Sequence, residues 1–116
     1  MITQLGRAHE AALRPFLAND PVVNLFLLGF LDAHGMAGAL WYAHVRPELD
    51  ACALVVPGRL VVPFATDPAG AAAIGNHLRG RFPASMVIGP REASDALWTA
   101  WTRGEVDPVA FYDQRL

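Results

Sequence analysis

The chain of 116 residues is 53% hydrophobic and 17% charged, with a net charge of −2 and a single cysteine, Cys52. Such a length suits one domain, 1–116, that buries roughly two thirds of its extended surface, and the apolar surplus leaves surface for a partner. The mild acidity argues against nucleic acid, which demands a basic face, and one thiol allows neither a disulfide framework nor a thiolate metal cluster.

The first residues, MITQLGRAHE, lack the basic region and apolar run of a signal peptide, so a cytoplasmic protein is expected. Met1 to Leu5 suits a short strand. Ala12, Leu13, Phe16 and Leu17 then form an apolar stripe at helical spacing. Pro15 lies inside that stripe and is expected to kink or restart the helix. Asp20 and Pro21 read as an N-cap and a first-position proline opening a second helix, Pro21 to Ala33. That helix is apolar nearly all round, with only Asn24, Gly29 and Asp32 suited to water, so it belongs in the core or under a partner. Its apolar segment, Pro21 to Leu31, is 11 residues long, against the ~20 that a membrane span needs.

Gly35 and Gly38 bracket a loop, and Leu40 to Val45 alternates as a strand does. Leu40, Tyr42 and His44 share one face; Trp41, Ala43 and Val45 share the other. Arg46 to Asp50 is a polar turn. From Ala51 to Pro90 the pattern is strand, strand, helix, strand. Pro57-Gly58 suits the centre of a type II turn between the first two strands. Asp67 can cap the following helix, with Pro68 at its first position. Ser85 to Gly89 has the short apolar character of a strand buried on both faces. Pro63, flanked by apolar residues, cannot donate to a sheet ladder; it marks a bulge or splay in a central strand, or else an edge strand. Glu92 to Arg103 forms the last helix, with Gly104 to end it. Val106 to Leu116 suits a final strand or a docked extension.

Four histidines (His9, His34, His44 and His77) show no metal-ligand spacing, so no metal is expected. His44 is the best candidate base, provided that the face it shares with Tyr42 lines a cleft. Cys52 suits a small core residue. Trp98 and Trp101, three apart, share a helix face and suit a core or an interface better than a ligand cage.

The segments Phe16-Leu17, Asp20-Pro21, Asn24-Leu25-Phe26-Leu27, Trp41, Ile88-Gly89-Pro90, Leu97-Trp98 and Gln114-Arg115-Leu116 span nearly the whole chain. With their element order they resemble the GNAT-type N-acetyltransferase superfamily. The wording is closer to the N-terminal GNAT-like domain that precedes a catalytic GNAT domain in some bacterial two-lobed acetyltransferases. The resemblance implies an α+β fold: a mixed, mostly antiparallel sheet in the order β-α-α-β-β-β-α-β-α, with helices on both faces. It implies an acetyl-CoA site in which the splayed strand, at Val62, Phe64 and Ala65, holds the pantetheine arm. Ala69, Gly70 and Ala71 would cradle the pyrophosphate. Tyr112 is then comparable with the tyrosine that serves GNAT enzymes as general acid, although packing suits its Phe111–Gln114 surroundings better.

The family motif, Gln/Arg-x-x-Gly-x-Gly/Ala, aims free amides and a helix N-terminus at the pyrophosphate. Here the stretch is Thr66-Asp67-Pro68-Ala69-Gly70-Ala71. It lacks the initial Gln/Arg and the first glycine, Asp67 repels an anion, and Pro68 removes an amide. What the resemblance implies is therefore a GNAT-like domain with an incomplete loop, acting through a second copy or a second lobe. The alternatives are a minimal acetyl-CoA-dependent N-acetyltransferase and a small-molecule or peptide-binding module using the cleft beside Pro63.

Overall fold

The Pro57-Gly58 turn forms as its two residues require: Gly58 takes φ 74° and Arg59 N donates to Val56 O at 3.0 Å. It joins the two longest-paired strands of a computed structural model that describes residues 2–103 and 111–113. In chain order the elements are β1 (Ile2–Leu5), a 3-10 turn, α1 (Glu10–Ala18), α2 (Leu25–His34), a second 3-10 turn and β2 (Leu40–Val45). They continue as β3 (Leu49–Val56), β4 (Leu60–Ala65), α3 (Pro68–Leu78), β5 (Val87–Gly89), α4 (Arg91–Thr102) and β6 (Phe111–Asp113). The strands form one sheet in sequence order. β1 to β4 are antiparallel neighbours, while β5 runs parallel to β4 and the short β6 parallel to β5. The fold is mixed α+β with a mostly antiparallel sheet.

Strand alternation divides the core between the two faces of the sheet. Tyr42, Ala51, Ala53, Val55 and Val61 meet Ile74, Leu78, Leu97 and Trp101 from α3 and α4. Trp41, Cys52, Leu54, Val62 and Phe64 meet Leu13, Phe16, Leu17, Leu27 and Leu31 from α1 and α2. Phe16 and Phe64 pack edge to face with ring centres 5.2 Å apart. Trp101 Nε1 donates to Phe82 O at 3.0 Å, which reconciles a buried indole with its polar edge.

Several expectations need correction. The first helix does not restart at Pro15, which lies inside the single helix α1. The second helix opens at Leu25 rather than Pro21. Asp20 instead closes a turn, accepting Val23 N on Oδ1 at 3.3 Å and Asn24 N on its carbonyl at 3.0 Å. Asn24, expected at the surface, is 1% exposed and donates through Nδ2 to Leu17 O at 2.9 Å. It thereby adds a second donor to a carbonyl in the last turn of α1, which Asp20 N also reaches at 3.2 Å. With Asn24 turned inward, Val22, Leu25 and Phe26 point outward. Pro63 belongs to a central strand, between β3 and β5, so the edge-strand alternative fails. The stop expected at Gly104, the side chain of Tyr112 and the Gln114–Leu116 segment lie outside the described residues.

Candidate functional site

The site follows from one missing hydrogen. Val61 N donates across to Met86 O at 2.8 Å, so β4 turns that amide toward β5. Amides two apart on a strand point the same way, and the next one aimed at β5 belongs to Pro63, which has no hydrogen. The parallel pairing accordingly consists of a single position, Val61 opposite Val87. Beyond it the backbones stay close without pairing: a Cβ on Gly89 would lie 3.1 Å from Pro63 O and 3.1 Å from Ser94 Oγ. Ser94 Oγ is itself buried without a hydrogen-bond partner.

Past the C-terminal ends of β4 and β5, Ala65, Thr66, Pro68, Pro90, Arg91 and Glu92 line a cleft of about 200 Å³. The N-termini of α3 and α4 both open on it. The two helices pack closely enough that a Cβ on Gly75 would stand 2.3 Å from Leu97 O. A helix N-terminus attracts anions through unpaired amides and a partial positive charge. At α3 those amides are engaged: Pro68 has none, Ala69 N donates to Asp67 Oδ1 at 2.9 Å, and Gly70 N donates to Asp67 O at 2.9 Å. The Asp67 carboxylate thus takes up an amide that would otherwise be free to meet an anion. The α4 N-terminus follows Pro90 without a side-chain cap, but brings Glu92 to the same cleft.

The residues singled out as a cofactor set are not gathered in one place. Ala65 lines the cleft, and Ala69 is exposed beside it. Val62 and Phe64 point to the opposite face of the sheet, into the core under α1 and α2. Gly70 and Ala71 are buried: a Cβ on Gly70 would meet Asp50 Oδ1 at 2.6 Å and Ala51 Cβ at 2.8 Å. The smallness of Gly70 serves close packing of α3 on β3.

His44 has a partner that sequence reasoning missed. Its Nδ1 lies 2.7 Å from Asp50 Oδ1, a contact in which the imidazole N–H donates to the carboxylate. The cause is a bulge. His44 pairs with Ala51 and Val45 with Leu49, so Asp50 is the extra residue and its side chain turns onto the face of His44. Asp50 O also accepts Thr66 N at 2.9 Å and Thr66 Oγ1 at 3.2 Å, tying the pair to the rim of the cleft. His44 is only 8% exposed, however, so its ring is walled in by β1, β3 and α3 rather than open to a substrate. A half-buried imidazole, His77, packs at a tilt on Tyr42 with ring centres 5.2 Å apart. Burial, and then the nearby Arg81, hold its pKa below the ordinary value. Burial pushes the Cys52 thiol up to about 12, which leaves it inert.

On the opposite face, Phe26, Leu60, Val62 and Ile88 line a small apolar cavity of about 80 Å³. Beside it Val22, Leu25 and Phe26 are 60%, 68% and 49% exposed. Among the described residues no group of three His, Cys, Asp or Glu side chains could hold a metal, and no helix is long and apolar enough to cross a membrane. No protein-family model, no curated protein and no solved structure matches this chain.

Proposed function

We propose that this chain is a GNAT-like scaffold domain that works by associating with a second lobe or subunit and does not itself capture acetyl-CoA. The observation that carries the reading is the closed α3 terminus, where Asp67 holds the amide of Ala69 and Pro68 supplies none. A diphosphate brought there would meet a carboxylate instead of a donor, and at this exposed position like charges about 4 Å apart repel by roughly 1 kcal/mol per charge pair. The exposed apolar start of α2 supplies the complementary half of the reading, a surface suited to a protein neighbour.

One observation favours a second reading, a minimal acetyl-CoA-dependent N-acetyltransferase. Past the single paired position, Val61 opposite Val87, Ala65 at the end of β4 and Thr66 line the cleft, where an extended thioester arm could pair with backbone. Transfer to an amine can proceed largely by proximity, so it does not require His44.

A screen of amine acceptors with acetyl-CoA, read as release of free thiol, separates the two. The scaffold reading expects release no faster than uncatalysed hydrolysis with every acceptor. Acceptor-dependent release that Ala65→Glu abolishes would establish the enzyme reading in its place.

A further inference from the structure

We propose that the pocket between the start of α1 and the end of α2 binds a zwitterion, a free α-amino acid with an apolar side chain. The pocket has a volume of about 400 Å³, within the range of small-molecule sites. Arg7, Glu10, His34, Gly35, Met36 and Ala37 line it, and it shares no residue with the cleft at α3 and α4. Arg7 and Glu10 stand one above the other, because Glu10 N donates to Arg7 O and side chains three apart on a 3-10 turn eclipse. Neither spends its charge on the other. The Arg7 guanidinium takes part in no ion pair among the described residues. Glu10 gives Oε2 to Arg14 Nε at 2.7 Å, and Arg14 Nη1 reaches Asp32 Oδ1 at 2.8 Å, which ties α1 to α2 at the pocket wall. Two carboxylates thus share one guanidinium. The trio keeps one negative charge uncompensated, and Glu10 Oε1 has no hydrogen-bond partner among the described residues.

An unpaired cation beside an uncompensated anion suits a ligand that carries both signs and no net charge. A simple anion would face Glu10, and a simple cation would face Arg7. Neighbouring side chains on a turn have Cβ atoms about 5–6 Å apart, so the two ligand charges must sit close together, as a carboxylate and an ammonium on one carbon do. The carboxylate matches the fork of the Arg7 guanidinium, and the ammonium donates to Glu10 Oε1. The helix ends that open on the pocket, the start of α1 and the end of α2, carry partial charges of opposite sign, in keeping with such a ligand. The remaining wall suits an apolar group. Met36 is 9% exposed and packs in the core with Trp41 and Leu31, and its thioether adapts to the shape it meets. The His34 ring is held against Phe30 with ring centres 4.7 Å apart. Gly35 leaves room beside them, since a Cβ there would meet nothing within 4 Å.

The test is an amide NMR titration of the full chain with L-methionine, L-methionine amide and N-acetyl-L-methionine, each to about 30 mM. Expected are saturable shifts at the amides of Arg7, Gly35 and Ala37, with a Kd for L-methionine at or below about 1 mM. Removing the carboxylate, in the amide, or the ammonium, in the acetyl derivative, should each weaken binding about tenfold or more. Arg7→Gln should weaken L-methionine as much as amidation does and leave the amide's own affinity unchanged. Glu10→Gln, which keeps an oxygen for Arg14, should do the same with respect to the acetyl derivative. Arg7 is exposed and unpaired, so its variant keeps the fold, as the spectrum itself reports; the Arg7 comparison decides the matter if Glu10→Gln does not fold. No saturable shift with L-methionine, shifts centred away from these walls, or blocked derivatives binding as tightly as the free amino acid would each overturn the proposal. So would an Arg7→Gln variant that weakens L-methionine and its amide equally. None of these results depends on whether the chain captures acetyl-CoA.

Discussion

Gly75 offers the sharpest mechanical test of how α3 and α4 are set beside the cleft. Alanine there would place a Cβ 2.3 Å from Leu97 O and 3.0 Å from Ala100 Cβ. The first contact is with backbone, so no side-chain rotation relieves it. Reaching an ordinary separation requires a shift of about 1 Å between two packed helices, and overpacking on that scale against backbone costs roughly 2–3 kcal/mol, the upper part of the usual range. Against this, alanine is the better helix former by ~1 kcal/mol at an interior position. The opposing terms leave a net loss of roughly 1–2 kcal/mol, which for a domain near this size lowers Tm by about 4–8 °C. Thermal unfolding followed by circular dichroism reads the change directly. The two contributions differ in sign, so the outcome is decisive: a Tm equal to or above that of the parent would refute the close helix contact.

Three further predictions rest on single side chains. Asn24→Ala should destabilise by roughly 0.5–1.5 kcal/mol in urea titration, because it removes the buried hydrogen bond from Asn24 Nδ2 to Leu17 O, a carbonyl that Asp20 N still reaches at 3.2 Å. An unchanged midpoint would mean that the Asn24 bond adds nothing to that of Asp20. Cys52 should resist a thiol reagent at neutral pH in the folded chain and react fully once it is unfolded, since its pKa near 12 reflects complete burial; rapid native labelling would contradict that burial. The folded-state pKa of His77 lies below its unfolded value near 6.5. The unfolded chain therefore takes up the proton first, so this residue favours the fold above about pH 6.5 and loses that effect as pH falls through the folded pKa. His77→Gln should flatten the stability profile over that window, and an unaltered slope would assign the dependence to other groups.

Local chemistry made much of the architecture legible. Pro57-Gly58 allowed few alternatives to a tight turn, Asp67-Pro68 announced a helix start, and both form as expected. Pro63 announced that a ladder would be interrupted; which neighbour it would part from depended on the strand order. What escaped notice depends on tertiary neighbours. Nothing local says that Asp50 is a bulge residue, because a bulge is defined by the partner strand, and so the His44–Asp50 contact was hidden. One signal was available: an acidic residue at the far end of a short hairpin turn from a strand histidine. Asn24 was assigned to water on polarity alone, whereas the carbonyls ending α1 were near enough to bury it. Gly70 and Gly75 look alike as small helix residues, yet one admits β3 and the other admits α4.

The central claim is that the α3 terminus is closed to a diphosphate, and calorimetric titration of the purified chain with acetyl-CoA tests it most directly. The account predicts no saturable heat up to about 1 mM ligand, which corresponds to binding weaker than roughly −4 kcal/mol. Saturable binding that Ala69→Glu, a change at an exposed residue, abolishes would contradict it and show that the terminus accepts the cofactor despite Asp67 and Pro68.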